Sequence, residues 1–424
     1  MEEKLKAIIV GINIDSSYHF EESMDELENL VSACDITCIG RVYQSLLNIN
    51  KPFYMGKGKV DELEEKIKET KADIVVFNNE LSSLQLKNLG EKLSASVWDR
   101  TLLILQIFAI RAKTKEAKLQ VESARLKYML PRLVGLHDTL GRQGGGSGLS
   151  NKGLGEKKIE LDRRHIESKI VELDKELNEL KVKRQTQRKK REESGMPLVA
   201  LVGYTNAGKS TLMNTILEKY SDDEDKKVFE EDMLFATLET SIRNVTLENK
   251  KSFLLSDTVG FVSDLPHTLV KAFRSTLEEI KYADLLIQVI DYSDADFTNQ
   301  IETTKATLKE IGSDQIPMLY VFNKSEKMLD YIPFIDGDEI YMSAKLGKGI
   351  DELIKMVSDK IYADYINTEM LIPFEKGSIL SYLNENATIS NTKYLENGTK
   401  IKINLKKSDY SKYEEYVVKN RNKK

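Results

Sequence analysis

Cysteine is almost missing from this 424-residue chain. There are two, Cys34 and Cys38, four positions apart in CDITCIG. With no histidine beside them and no further cysteine to pair with, they do not read as a metal site or a disulfide framework but as small buried residues. Long apolar runs are missing too: no stretch approaches the roughly 20 residues that cross a bilayer, so no transmembrane helix is predicted. The N-terminal MEEKLKAIIV lacks the zones of a secretion signal, and the expected location is the cytoplasm. Nor is there a large charge of one sign. A formal net charge of −5 excludes a generic polyanion binder, while 41% hydrophobic and 31% charged residues describe a globular chain.

A chain of this length is expected to form two to four domains. Residues 1–110 alternate apolar runs (AIIVGINI, DITCIGRVY, ADIVVFNN) with helical patterns such as KVDELEEKIKE, which predicts a small α/β domain. Residues 111–196 turn helical twice around a glycine-rich loop, 141–156. In the second helix Ile159, Ile166, Ile170, Leu173, Leu177 and Leu180 recur at helical spacing, an apolar seam for the first helix in an antiparallel hairpin. Gly195 and Pro197 end that helix. An α/β domain is predicted over 197–362 and a small α+β domain over 363–424, where Asn397-Gly398 marks a hairpin of the type I′ kind.

The third zone carries the chemistry. Leu198 to Val202 is an apolar strand, and GYTNAGKS follows at 203–210 before the helical TLMNTILEKY. Gly203 and Gly208 let backbone N–H groups of the loop Tyr204, Thr205, Asn206 and Ala207 approach a phosphate chain without a Cβ in the way. The helix starting near Thr211 points its positive end at the same anion. Lys209 supplies a cation for the outer phosphates and Ser210 a hydroxyl for Mg²⁺. Asp257-Thr258-Val259-Gly260 closes the strand FLLS, with Asp257 holding Mg²⁺ through water and the Gly260 N–H facing the γ-phosphate. Between these sites DMLFATLE contains Phe235, Ala236 and Thr237, and Thr237 is the expected switch residue closing over Mg²⁺. Lys209, Thr237 and Gly260 form the expected catalytic set.

Two later loops set the nucleotide class. Asn323-Lys324-Ser325-Glu326 follows PMLYVF, and Ser343-Ala344-Lys345 follows EIYM; in this order they match guanine-reading loops and predict GTP hydrolysis. The first loop ordinarily ends in aspartate, whose two oxygens accept the N1–H and N2–H₂ donors that adenine cannot match. Glu326 keeps the carboxylate one methylene farther out. After DTVG stands Phe261, where many GTPases use a glutamine to orient the attacking water. A partner or a switch rearrangement is needed instead, and a ring that merely packs under the switch segment leads to the same conclusion. Asn206 occupies the loop position where related GTPases without that glutamine hold potassium, and K⁺ is expected there.

Basic residues cluster at Arg111, Lys113, Lys115 and Lys118, and again in KVKRQTQRKKR at 181–191. A solvated helix face and a phosphate-contacting surface both fit such runs. Gly141, Gly144, Gly145, Gly146, Gly148, Gly153 and Gly155 crowd the loop between the helices. That loop reads either as a flexible connector or as a segment able to lie close against RNA.

Over nearly the whole chain the sequence resembles the HflX family of GTPases. The resemblance rests on YMGKGKVDEL (54–63), VFNNELSSLQLKNL (76–89), the segment from Trp98 through the LPRL helix end (98–133), GLGEKKIELDRR (153–164), GYTNAGKSTLMN (203–214), DMLFATLE (232–239) and DTVGFVSDLPHTLV (257–270). It implies a monomeric ribosome-associated GTPase that binds the large subunit and its RNA and, in some members, separates the subunits of stalled ribosomes. The N-terminal domain and hairpin would contact ribosomal RNA, with the inter-helix loop reaching toward the peptidyl-transferase centre. The family loop usually reads arginine, glycine, proline, glycine, glutamate; here it is Lys152-Gly153-Leu154-Gly155-Glu156, and Leu154 lifts the backbone restriction of proline. A GTPase acting in RNA processing or tRNA modification, or an N-terminal domain with its own nucleotide-dependent activity on RNA, remains open at this point.

Overall fold

A computed structural model of the chain describes residues 4–14, 20–142, 149–193, 196–221, 241–247, 251–258, 260–261, 269 and 278–418. Phe235, Ala236, Thr237 and Val259 lie outside the described residues, as do Gly144, Gly145, Gly146 and Gly148 and the basic C-terminal tail.

The N-terminal domain is a four-stranded parallel sheet in the order β2-β1-β3-β4, with β1 Lys6–Ile14, β2 Thr37–Leu46, β3 Ile74–Phe77 and β4 Ser96–Asp99. Side chains alternate in direction along a strand, so β1 feeds two cores. Ala7 and Ile9 pack against α1 (Phe20–Ala33), α4 (Arg100–Arg111) and the start of α5 (Lys115–Arg142). Ile8 and Val10 pack against α2 (Lys57–Thr70) and α3 (Ser83–Lys92). Sheets covered on both faces read as continuous apolar runs, as AIIVGINI does. Cys34 is buried in the first core and Cys38 half-buried; both thiols are free. Burial pushes the Cys34 thiol up to about 12, so it stays a neutral packing group.

The hairpin is antiparallel. Ser123 and Lys127 of α5 reach Asp174 of α6 (Leu149–Glu193) at 3.1 and 2.8 Å, and Lys115 reaches Glu176 at 2.9 Å. Leu173 is buried at the seam, with Ile166, Ile170, Leu177 and Leu180 half-buried around it. Two expectations need correcting here. The helix does not end at LPRL: α5 runs through Pro131 to Arg142, with the Arg132 guanidinium stacked on Tyr128 at 3.4 Å and bonded to Asp99 at 3.2 Å. The glycine loop is shorter than 141–156, since α6 begins at Leu149 and includes Gly153 and Gly155. Helix propagation tolerates single glycines at about 1 kcal/mol each, and with Leu154 in place of proline the larger helix-breaking penalty is absent. At 1.5 Å per residue α6 is about 68 Å long. Among the described residues no helix is long and apolar enough to cross a membrane.

The third domain is a seven-stranded sheet in the order β10-β11-β9-β8-β5-β7-β6. Its strands are β5 Leu198–Gly203, β6 Ser241–Thr246, β7 Ser252–Asp257, β8 Leu285–Asp291, β9 Met318–Asn323, β10 Phe334–Asp336 and β11 Glu339–Tyr341. β5 lies between β7 and β8 and is parallel to both. The chain therefore leaves β5 at a point where the strand order reverses, which is where doubly wound sheets bind ligands. On one face α7 (Lys209–Tyr220) and α9 (Ile350–Ile361) cover Val199 and Leu201; on the other, Leu198, Ala200 and Val202 pack with Phe261 and with Leu308 of α8 (Phe297–Glu310).

The C-terminal domain is a three-stranded antiparallel sheet, β12 (Tyr365–Ile372), β14 (Gly398–Lys406) and β13 (Thr388–Leu395), with helices α10 (Gly377–Asn386) and α11 (Lys407–Lys412). The hairpin is present, but its turn residues are Glu396 and Asn397, because Leu395 pairs with Gly398. Neither turn residue has positive φ, so the turn is not type I′. Gly398 is needed for a close approach instead: a Cβ there would stand 2.4 Å from the carbonyl oxygen of Ile372.

Candidate nucleotide site

Two glycines make the phosphate loop possible. Gly203 has φ +142° and Gly208 φ +93°, and a Cβ would meet the Val289 carbonyl oxygen at 2.2 Å or Asn323 Nδ2 at 2.3 Å. The loop thus folds against the ends of β8 and β9, and α7 starts directly after Gly208. Lys209 turns back into the loop, donating to the carbonyls of Tyr204 at 2.8 Å and Gly203 at 3.1 Å. Burial pushes its ammonium down to about 8 from 10.5, opposed by the charge of Asp257. This is a cation held poorly solvated, and an arriving anion relieves that penalty.

Ser210 Oγ donates to Asp257 Oδ2 at 2.8 Å, so the end of β7 and the start of α7 converge. Thr258 fixes the turn that follows by donating to the Leu201 carbonyl at 2.6 Å. Gly260 presses against the loop, where a Cβ would lie 2.7 Å from Thr205 Cγ2 and 3.0 Å from Lys209 Nζ. Phe261 is locked by two backbone bonds, its N–H to Gly203 O at 3.1 Å and its carbonyl from Thr205 N–H at 2.8 Å. Its ring is 2% exposed in the core beside β5, so it packs and orients no water.

The guanine loops are tied to the phosphate loop by Asn323. It donates from Nδ2 to the Ala207 carbonyl at 2.9 Å and accepts the Ala344 N–H at Oδ1 at 2.9 Å. Lys324, at φ +61°, donates to the Asn206 carbonyl at 2.9 Å and to Asp291 at 2.7 Å. Ser325 and Ser343 are fully buried, and Ser343 Oγ accepts the Leu346 N–H at 3.3 Å, shaping the loop that presents Ala344 and the exposed Lys345. Glu326 Oε2 is buried with no hydrogen-bond partner among the described residues. A buried carboxylate oxygen left open is an acceptor awaiting donors.

Sequence reading missed Asp291, the anion that fixes Lys324, and Thr215, whose hydroxyl donates to the Ala344 carbonyl at 3.0 Å. The first had a signal, an aspartate closing an apolar strand; the second had none. The basic runs also divide. Arg184 pairs with Glu116, and Arg188 pairs with Glu279 at 2.9 Å while lying 3.7 Å over the Tyr282 ring. Arg184 thus ties α6 to α5 within the hairpin and Arg188 ties the hairpin to the neighbouring domain, whereas the side chains of Lys181, Lys183 and Lys189 are exposed.

Family models match along almost the whole chain: a GTP-binding GTPase N-terminal region over 21–109, a GTP-binding GTPase middle region over 111–191, a 50S ribosome-binding GTPase over 198–324 and an HflX C-terminal domain over 336–422. The last begins inside the region where β10 and β11 are still hydrogen-bonded to the GTPase sheet. Proteins named GTPase HflX are similar throughout. One from Caldanaerobacter subterraneus subsp. tengcongensis is 41% identical, covering 95% of this chain and 91% of the relative. One from Alkalihalophilus pseudofirmus is 41% identical over 92% and 90%, and one from Escherichia coli 37% identical over 89% and 87%. A solved structure of a GTP-binding protein from Sulfolobus solfataricus with GDP is 24% identical over 84% of this chain and 98% of that one, with a TM-score of 0.44.

Proposed function

This chain belongs to the HflX family of GTPases, and we propose that it uses GTP to bind the large ribosomal subunit and its RNA and to separate the subunits of stalled ribosomes under stress. The observation that carries the reading is the convergence of Lys209, Ser210 and Asp257 in a chain that also carries the long α5–α6 hairpin, supported by relatives of that name that match over most of its length and by a family described as a 50S ribosome-binding GTPase that matches residues 198–324.

In this reading the phosphates of GTP enter the loop 203–210, and Lys209 exchanges carbonyl partners for phosphate oxygens. Ser210 and Asp257 already converge, and they would hold Mg²⁺ together with Thr237. The metal, when bound, neutralises charge shared between the β- and γ-phosphates. Glu326 accepts the guanine N1–H and N2–H₂, and Asn323 holds its loop against the phosphate loop. Because Phe261 is packed away, the attacking water must be placed by a partner or by a rearrangement of the segment after Gly260. A GTP requirement for binding then makes hydrolysis a release step. The hairpin supplies the RNA-facing surface through exposed lysines of α6 such as Lys183 and Lys189.

Co-sedimentation with purified large subunits tests this directly. Binding is expected with a non-hydrolysable GTP analogue and loss of binding with GDP. Equal pelleting in both states would sink the reading, and retention on a small structured RNA alone would favour a role in RNA processing.

A further inference from the structure

Tyr204 follows the first glycine of the phosphate loop, yet its side chain belongs to another domain. The ring is 8% exposed and packs within the N-terminal core shared by α1, α4 and α5. Its hydroxyl donates to Glu26 Oε1 on α1. The same residue's main chain organises the nucleotide site, because its carbonyl accepts Lys209 Nζ at 2.8 Å and it forms a β-bridge with Phe261. Leu269, eight positions beyond Phe261, is 1% exposed in that same N-terminal core. Tyr204 of the phosphate loop and Leu269, downstream of Phe261 in the chain, are thus both inserted into one neighbouring domain.

Glu26 is itself held on its other side. Arg100, 3% exposed, donates to Glu26 Oε2 at 2.6 Å and to Asn78 Oδ1 at 2.8 Å. Asn78 donates in turn to Ser23 Oγ at 2.8 Å, one turn before Glu26 on α1, which closes the circuit. A buried ion pair gains little stability, since desolvation offsets most of the attraction, but it restricts where its members can sit. None of these four side chains lies in a nucleotide-binding loop. Their shared effect is to fix the position of one tyrosine hydroxyl.

We infer that Glu26 is a positioning residue for GTP hydrolysis: held by Arg100 and Asn78, it fixes Tyr204 and, through the Tyr204 carbonyl, the anchor of Lys209. The N-terminal domain is then part of the geometry of the hydrolytic site, and a displacement of α1 is felt at the catalytic lysine.

The test uses the full-length protein with Tyr204→Phe, which keeps the packed ring and loses the hydroxyl, with Glu26→Gln, and with both. Steady-state GTP hydrolysis and thermal melting are measured in parallel. Each single variant is expected to lower kcat roughly tenfold, about the worth of one hydrogen bond to a charged group, with KM changed less than about twofold. The double variant is expected to be no slower than either single one, because both remove the same link. An unchanged kcat in Tyr204→Phe, or multiplied losses in the double variant, would overturn the inference. If Glu26→Gln fails to fold with Arg100 left unpaired, Tyr204→Phe decides alone: a lowered melting temperature with normal kcat would mean a packing role only.

Discussion

Ser210 Oγ and Asp257 Oδ2 stand 2.8 Å apart although 47 positions separate them in the chain. The phosphate loop and the strand that ends at Asp257 therefore meet at the corner we propose for Mg²⁺, and Lys209 lies beside it. Lys209→Ala removes the cation facing the outer phosphates. GTP turnover by the purified variant is expected to fall at least about a hundredfold, the scale of losing one preorganised charge stabiliser. Wild-type turnover in that variant would show that this corner is not the catalytic site.

The buried Lys209 also predicts a pH dependence. Burial pushes its pKa down to about 8, below its unfolded value of 10.5. Between those values the unfolded chain binds the extra proton, so this group's penalty on folding eases as pH rises. Nucleotide binding runs the other way. A bound phosphate holds the proton on Lys209, so affinity should be level below about pH 8 and fall by up to about tenfold per unit above it. Titrations of GDP affinity from pH 7 to 9.5 measure this, with Lys209→Arg as a control that does not titrate. A flat profile in the wild type would mean that Lys209 keeps its proton in the empty site.

Glu326 Oε2 is the open acceptor of the guanine loop. Removing it by Glu326→Ala should weaken GTP binding about 10- to 100-fold, as expected for hydrogen bonds to a charged group. Glu326→Asp restores the usual length and should preserve or sharpen preference for GTP over ATP. Equal nucleotide competition by the wild type and both variants would show that the base is read elsewhere.

Asn206 adopts φ +61° at the mouth of the loop, with its carbonyl fixed by Lys324 at 2.9 Å. We expect potassium to stimulate hydrolysis more than sodium, a cation there replacing part of what an arginine finger supplies elsewhere, an effect worth about 10³ to 10⁵ for the finger. The difference should vanish in Asn206→Ala. Identical wild-type rates in the two salts would exclude a cation at this position.

The phosphate loop was legible in the sequence because its rules are local. A buried strand, glycines at 203 and 208 and a helix start each constrain neighbours within a few residues, and the structure places Gly203, Lys209, Ser210, Asp257 and Gly260 together as read. The loops 323–326 and 343–345, read from the sequence as guanine-reading, also meet in the structure through Asn323 and Ala344. Long-range pairings were not legible: Tyr204 to Glu26 spans 178 positions and Arg188 to Glu279 spans 91, and no periodicity encodes a partner at that distance. Asn397-Gly398 misled for a different reason, since a glycine serves turns and close approaches alike, and only the position of Ile372 tells which. Gly153 and Gly155 misled because glycine lowers helix propensity without forbidding a helix whose neighbours favour it.

The glycine segment yields the last prediction, now with narrower bounds. Helix α5 is described to Arg142 and α6 from Leu149, and residues 143–148 lie between them in the sequence. That segment is remote in sequence from every nucleotide motif, and replacing it with a neutral connector of equal length should leave intrinsic GTP hydrolysis within about twofold. Ribosome-dependent effects should fail if the tip of the hairpin works inside the ribosome. Large-subunit binding should persist in part through the exposed lysines of 181–189, and that residual binding should fall steeply with salt because it rests on phosphate contacts. Light scattering of subunit dissociation decides the matter, with wild-type and replaced protein compared at one salt concentration. Dissociation at the wild-type rate by the replaced protein would make 143–148 a connector only. Failure of both proteins to dissociate ribosomes would leave subunit binding without separation as the activity of the family site.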